Sequence, residues 1–402
     1  MLNFESAVTD PVTFGELLSK AKTEIGYALC NCTTPPQKLV IRRKHSDSGD
    51  KYFLATWPNN GDAHNPNCRF FVSEKAYADN AEANRLAAIQ ENNIGFQVNA
   101  DFSMRRCIQN STAPGKKLET ADEKSTDNDQ RSATGFLGTL QYLWRRAGLN
   151  NCNLESRNWR SIVANLNTVI SNGKIGKHSI SEILYIIPVF EHVNKEQNAQ
   201  KWHQFFSKFE RTAEFVPSFL ILGEIKNTIL GEQCVITNLR NFPYSIYMTE
   251  SFAKSIAKKF PVEESFLRSE DNSGRVVGLF LVEKSVKGNL AVSDVALMLV
   301  SNEYIPCDSH YELRLANKLV AEKRVFEKPT TPYPAIGIMP DFVLMDTHFP
   351  IYIEVWGMQT PEYLERKAEK IRQYDEQGLD LWQWDAISSR LIPDLPPVAF
   401  SK

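Results

Sequence analysis

The stretch PDFVLMDTHFPIYIEVWGM, residues 340–358, has one acid at the head of an apolar run and a second inside the next, Asp341 and Glu354. On paired strands, two such carboxylates offer the hard oxygen ligands that Mg²⁺ prefers, and the Val355 carbonyl is a further ligand. A metal held there lowers the pKa of a bound water and offsets charge on a phosphate. A nearby ammonium stabilises the charge that develops. A metal-dependent nuclease of this shape would carry a lysine two residues after the second acid, where this chain has Trp356.

The helix that follows offers two replacements, Lys367 and Lys370, three apart on one face, with Tyr363 and Tyr374 four residues to either side. Lys367 is the stronger by position, being nearer the helix start and the end of the Glu354 strand. The plain alternative is a pair of solvated lysines on an exposed face. Glu312, on the preceding helix, can approach the metal or orient a lysine. It also completes the capping box Ser309-His310-Tyr311-Glu312, which would leave it only closing a helix start. Asp341 could be a turn residue and Glu354 a solvent-facing one. The apolar neighbours of Glu354 make that reading uncomfortable, because a buried carboxylate needs a partner.

A second constellation lies near the N-terminus. Cys30-Asn31-Cys32 precedes a predicted β-hairpin and His64-Asn65-Pro66-Asn67-Cys68 follows it. Three thiolates and one imidazole make a tetrahedral zinc site, closed to water and therefore structural. Scattered thiols and a surface histidine are the alternative, and His45 and Cys107 are lesser candidate ligands.

Positioning these groups requires three predicted parts and a linker. Residues 1–111 read as a β-rich zinc module, with strands KLVIRR and KYFLATW around the turn KHSDSGD. Residues 112–133 are almost free of large apolar side chains and read as a flexible linker. Residues 134–300 read as a mixed α/β middle domain. Helices are expected at GFLGTLQYLWRRAGL, NWRSIVANLNTVISNG, KWHQFFSKFER and SFAKSIAKKF, and buried strands at ILYIIPVF, SFLILGEI, CVITNL and VVGLFLVEK. Residues 301–402 read as helix, strand, strand, helix, strand: a helix from Ser309 to about Arg324, strands PDFVLM and IYIEVW, a helix begun by Thr360 and Pro361 and ended near Gly378, and strand DLWQWD. The fold class is mixed, multidomain α/β.

A net charge of −2 leaves no global positive field, so any DNA contact must be a local patch. Arg42, Arg43 and Lys44, then Arg145, Arg146, Arg157 and Arg160, are the candidates, with core packing and a solvated basic edge the favoured reading of the last four. No apolar run reaches membrane-spanning length, and the start MLNFESAVTD is not a secretory signal, so a cytoplasmic protein is expected. Phosphate-binding glycine loops are absent, which argues against ATP and dinucleotides.

The combination of Cys30, Cys32, His64 and Cys68 with LQYLWRRAGLN at 140–150 and the pattern Pro340, Asp341, Phe342, Glu354, Val355, Gly357, Tyr363, Arg366, Lys367 resembles an uncharacterised family of bacterial proteins often carried on plasmids and integrative conjugative elements. The C-terminal part separately resembles the PD-(D/E)xK nuclease superfamily, from which Trp356 departs. The resemblance implies a Mg²⁺-dependent DNA nuclease of mobile-element biology. The alternatives are a catalytically silent DNA-binding or adaptor protein on the same fold and a scaffold among conjugation proteins.

Overall fold

The computed structural model describes residues 11–25, 27–46, 49–56, 64–65, 68–70, 89–91, 95–100, 102–107, 135–231, 234–333, 337–347 and 349–399. The predicted linker 112–133 lies outside them. The chain divides into two compact units, Met1–Asn84 and Arg85–Lys402.

In the first unit, helix Pro11–Glu24 accompanies an antiparallel sheet of strands Tyr27–Cys30, Gln37–Ser46 and Gly49–Thr56. Leu18, Leu39 and Ile41 are its buried apolar anchors. The predicted hairpin is the pair Gln37–Ser46 and Gly49–Thr56, with Leu39 opposite Thr56 and Ser46 opposite Gly49.

The second unit begins earlier than the expected boundary. Strand Phe96–Val98 pairs with Gly173–Ile175, and Arg105–Cys107 pairs with Phe215–Pro217. The described residues between 95 and 107 therefore do not belong with the N-terminal module. The expected break near residue 300 is also absent. One buried cluster runs from Phe96 through Trp144, Phe219 and Leu299 to Phe342 and Trp384. Strand Asn151–Cys152, from the supposed middle domain, extends the C-terminal sheet by pairing with Phe326–Glu327.

Two sheets dominate this unit. In the larger, strands Phe215–Leu230, Val235–Leu239, Ser245–Met248, Leu290–Ser301 and Gly274–Lys284 pair in that order, and the last pairs back on the first, closing a small barrel. The 16-residue strand Phe215–Leu230 makes this closure possible: its first half meets Gly274–Lys284 and its second half meets Val235–Leu239. The partner changes between Glu224 and Ile225, next to a bulge at Ile225/Asn227. A Cβ on Gly223 would come within 2.5 Å of the Ile187 side chain, so the site wants glycine.

The smaller sheet has the order Leu381–Asp385, Ile351–Trp356, Phe342–Leu344, Phe326–Glu327, Asn151–Cys152. Its second strand is parallel to the first and antiparallel to the third. Helix His310–Ala321 precedes four of the five strands in the chain, and helix Pro361–Glu376 connects the two parallel strands. Ser309 caps the first helix through the N–H of Glu312, and Thr360 caps the second through that of Tyr363. Gly378, at φ +63°, follows the second helix in the left-handed conformation that ends helices.

Candidate functional site

The first site lies in the N-terminal unit. The ligand atoms of Cys30, Cys32, His64 and Cys68 all lie within 4.8 Å of one another. Cys30 Sγ is 3.6 Å from Cys68 Sγ, and His64 Nδ1 is 3.2 Å from Cys32 Sγ and 3.8 Å from Cys68 Sγ. Zinc bound to sulfur at its usual length sets a tetrahedral S···S edge of about 3.8 Å, so the spacing suits that ion. Asn65 and Phe70 each direct a backbone N–H at a sulfur, Cys32 and Cys68 respectively, at 3.4 Å. These bonds support negative charge on the thiolates.

His64 is 2% exposed, and burial lowers its pKa, which keeps the ring neutral and able to coordinate. Burial, together with hydrogen bonds from the neighbouring thiols, pushes the Cys30 thiol up to about 12. Such a group ionises only with a cation beside it. This cluster can hold a metal such as zinc, and with four protein ligands it has no open position. The four residues are those the spacing indicated. Cys107, the other cysteine considered, sits opposite Phe215 on a strand of the second unit.

The second site lies at the open end of the small sheet. Glu354, 1% exposed, sits on strand Ile351–Trp356 among apolar neighbours. Lys370 Nζ reaches it from helix Pro361–Glu376, at 2.7 Å from Oε1 and 2.8 Å from Oε2, and also donates to the Met339 carbonyl at 2.8 Å. Tyr374, one helical turn further on, donates its hydroxyl to Glu354 Oε1 at 2.7 Å. The i, i+4 spacing thus aims an ammonium and a phenol at one carboxylate. Asp341 accepts the N–H of Val355 through Oδ2 at 2.7 Å, which fixes it beside the same strand.

Lys367 does not join them, contrary to the positional expectation. Its ammonium bonds Asp385 Oδ2 at 3.0 Å and lies 5.2 Å from the centroid of the Trp356 ring. Trp356 itself is 5% exposed, with its indole N–H on Gln383. The tryptophan at the usual lysine position is therefore a packing residue with Lys367 over its face. The ammonium reaching the acid comes from one helical turn further along.

Glu312 serves its own helix start and also engages a lysine, Lys328. Its backbone N–H is capped by Ser309 Oγ at 3.1 Å, and its carboxylate takes the N–H of Asp308 at 3.1 Å. The same carboxylate, in a residue 6% exposed, accepts Lys328 Nζ at 2.6 Å. Lys328 is 2% exposed and also pairs with Asp308 at 2.8 Å. Its backbone is pinned to Asn150, N–H to carbonyl at 2.8 Å and carbonyl to side-chain amide at 3.1 Å. Lys328 was not visible as a site residue in the sequence. It follows a two-residue strand in VFEKP, and its partners lie 16 and 20 positions upstream.

Burial pushes Asp341 up to about 6, the Glu354 charge adding to it against Lys328 and Lys370. Burial pushes Glu312 up to about 7, despite Lys328 beside it, and raises Glu354 as well. Among the described residues, Cys30, Cys32, His64 and Cys68 are the only set of three or more such side chains gathered closely enough to ligate one ion. The C-terminal acids do not close into a three-carboxylate cage.

The basic candidates are engaged in structure. Arg146 pairs with Glu91 at 3.0 Å, Arg160 pairs with Glu191, and Arg157 donates to the Leu149 carbonyl at 3.0 Å. Arg42, Arg43 and Lys44 fall on strand Gln37–Ser46, their side chains outside the described residues. No helix among the described residues is long and apolar enough to cross a membrane.

These observations define a mixed α/β protein with a Cys/His cluster able to hold a metal in one unit and a buried acid–lysine network in the other. The chain belongs to the family described as "Protein of unknown function (DUF1173)", which matches residues 4–386. No curated protein and no solved structure matches the chain.

Proposed function

We propose that the protein is a Mg²⁺-dependent nuclease acting on DNA, with the C-terminal sheet as a restriction-endonuclease-like core and the cluster of Cys30, Cys32, His64 and Cys68 as a structural zinc site. The observation that carries this reading is Lys370 on Glu354 at 2.7 Å. It supplies by migration the ammonium that the strand lacks. The element order supports it too: Glu312 on the first helix, Asp341 at the head of one strand, Glu354 inside the next, Lys370 on the helix after.

The donor set fits a hard divalent cation. Asp341 and Glu354 offer carboxylate oxygens beside one strand, the kind of ligand such an ion takes. Asp341 and Glu354 would hold it, and Mg²⁺ retains several waters where protein ligands are few. When bound, the ion supplies an acidified water and offsets phosphate charge. Lys370 sits where its ammonium can meet a phosphate oxygen. Tyr374 and the Val355 N–H hold the two carboxylates in orientation. Glu312, kept in place by Lys328, backs them. A role in plasmid or conjugative-element biology rests on the resemblance noted above.

A second reading keeps the fold without the chemistry: a DNA-binding or adaptor protein. One observation favours it, that Glu312 and Glu354 each already have an ammonium partner. Incubation of the purified protein with single- and double-stranded DNA in Mg²⁺, Mn²⁺ or EDTA separates the two. Metal-dependent cleavage that Glu354→Gln and Lys370→Ala abolish supports the enzyme. DNA binding without cleavage under any metal leaves the second reading.

A further inference from the structure

The barrel of the second unit carries chemistry that the nuclease site does not use. Its five strands follow in the chain as Phe215–Leu230, Val235–Leu239, Ser245–Met248, Gly274–Lys284 and Leu290–Ser301, and pair around the barrel as first, second, third, fifth, fourth and first again. All neighbours are antiparallel except third with fifth, which run parallel. Helices Glu250–Lys259 and Pro261–Arg268 are inserted between the third and fourth strands. This is the topology of the five-stranded barrel that binds oligonucleotides and oligosaccharides across its second and third strands and the loops beside them. Topology alone assigns no ligand, so the surface has to be read residue by residue.

Strand alternation places the side chains on two faces. Thr228, Leu230, Val235, Thr237 and Met248 line a cavity between the barrel and the two inserted helices. The alternate residues face the other way, in two cross-strand rows set by the register. Asn227 lies opposite Asn238, which lies opposite Ser245. Ile229 lies opposite Ile236, which lies opposite Tyr247. Asn238 donates its amide to Asn227 Oδ1 at 2.8 Å and accepts Ser245 Oγ at 2.7 Å, giving a line of polar groups with donors and acceptors. The second row is apolar and aromatic. Ile229 is 47% exposed, and Ile236 and Tyr247 are half-buried. Lys226 is exposed at the bulge, at the edge of this face. The turn between the fourth and fifth strands presents exposed Val286 and Lys287.

A flat aromatic and aliphatic row beside a line of amides, edged by ammonium groups, complements unpaired bases on a charged backbone. Base stacking serves the first, edge hydrogen bonds the second and phosphate contact the third. Duplex DNA hides its base faces and could not use the Tyr247 row. A neutral sugar would not need the lysines. We infer that the outward face of strands Val235–Leu239 and Ser245–Met248, centred on Tyr247 and Asn238, is a binding site for single-stranded nucleic acid.

The test is fluorescence anisotropy of the full-length protein with labelled oligo(dT), oligo(U) and a duplex of equal length, all in buffer without Mg²⁺ or Mn²⁺ so that no cleavage intervenes. The expected result is tighter binding to the single strands than to the duplex. Tyr247→Ala should weaken single-strand binding about tenfold, in line with the loss of one base–aromatic stack. Lys226→Glu with Lys287→Glu should weaken it further and flatten its salt dependence. Tyr247→Phe should retain binding, and thermal melts of the variants should match the parent. Preference for duplex, or single-strand binding untouched by Tyr247→Ala and the lysine pair, overturns the inference. The oligo(dT) and oligo(U) arms distinguish DNA from RNA. Binding without Mg²⁺ or Mn²⁺ does not depend on the nuclease reading, so single-strand binding without any metal-dependent cleavage would sink that reading and leave this one standing.

Discussion

Lys370 and Glu354 are joined through both carboxylate oxygens, although the lysine, on the helix that follows the acid's strand, lies 16 residues beyond the acid. Lys367, three residues earlier on the same helix, is held by Asp385 instead. One helical turn decides which ammonium serves the acids.

That division predicts a sharp contrast between two neighbouring substitutions. Lys370→Ala should lower the rate of Mg²⁺-dependent DNA cleavage by about 10²–10³, the usual cost of losing one charge-stabilising donor. Lys367→Ala should leave the rate within a few-fold of the parent. A gel assay of single-turnover cleavage for both variants checks this, and equal losses would show that the helix places its lysines otherwise.

Lys328 is expected to matter for stability. Its ammonium is buried between Glu312 and Asp308, so Lys328→Met leaves Glu312 buried without a counter-ion. Breaking such a pair costs about 3–5 kcal/mol. The double variant Lys328→Met, Glu312→Gln should recover part of the loss, because the uncompensated charge goes too. Urea unfolding of the two single variants and the double variant gives the coupling energy directly. Additive losses would mean that the pair contributes nothing as a pair.

The N-terminal cluster predicts one zinc per chain by elemental analysis, and a unit whose order depends on it. Removal with a strong chelator should expose helix Pro11–Glu24 and the adjoining sheet to limited proteolysis, and Cys32→Ser should do the same without chelator. Zinc should restore protection in the parent only. Full protection of the metal-free protein would reduce the cluster to four neighbouring side chains.

Asp346 and Arg324 supply a pH-dependent contribution. Arg324 donates Nε and Nη2 to the two oxygens of Asp346 at 2.8 and 2.7 Å, and the N–H of Val325 adds a third bond at 2.8 Å. Burial opposes ionisation, but these bonds outweigh it and hold the folded carboxyl below its usual range. The stabilisation is therefore complete above the unfolded pKa, near 3.9, and is lost as pH falls through the lower folded value. Asp346→Asn should cost about 3–5 kcal/mol at neutral pH, since Arg324 is left buried and unpaired. The gap between variant and parent should close on acidification below pH 4. A stability difference constant from pH 7 to pH 2 would contradict the assignment.

Much of this was legible in the chain itself. Helix ends were marked by local chemistry: Ser309 and Thr360 as caps, Pro361 in a first turn, Gly378 after a last one. The strands IYIEVW and LWQWD and the four metal ligands were identified by type and spacing, because period and ligand chemistry are local properties. The choice between Lys367 and Lys370 was not local. It depends on how far helix Pro361–Glu376 is turned about its axis over the sheet, which is set by packing of Tyr374 against residues distant in sequence. Lys328 was hidden for the same reason, since its two acids come from another element. The barrel was hidden most completely. Its strands could be recognised one by one, but the order that closes them rests on Phe215–Leu230 changing partners after Glu224, a pairing between residues more than 50 positions apart. The sequence by itself determined the elements and the kinds of ligand. Only the tertiary structure decided which charges meet, because a charge pair is a fact of distance through space and the chain records only distance along itself.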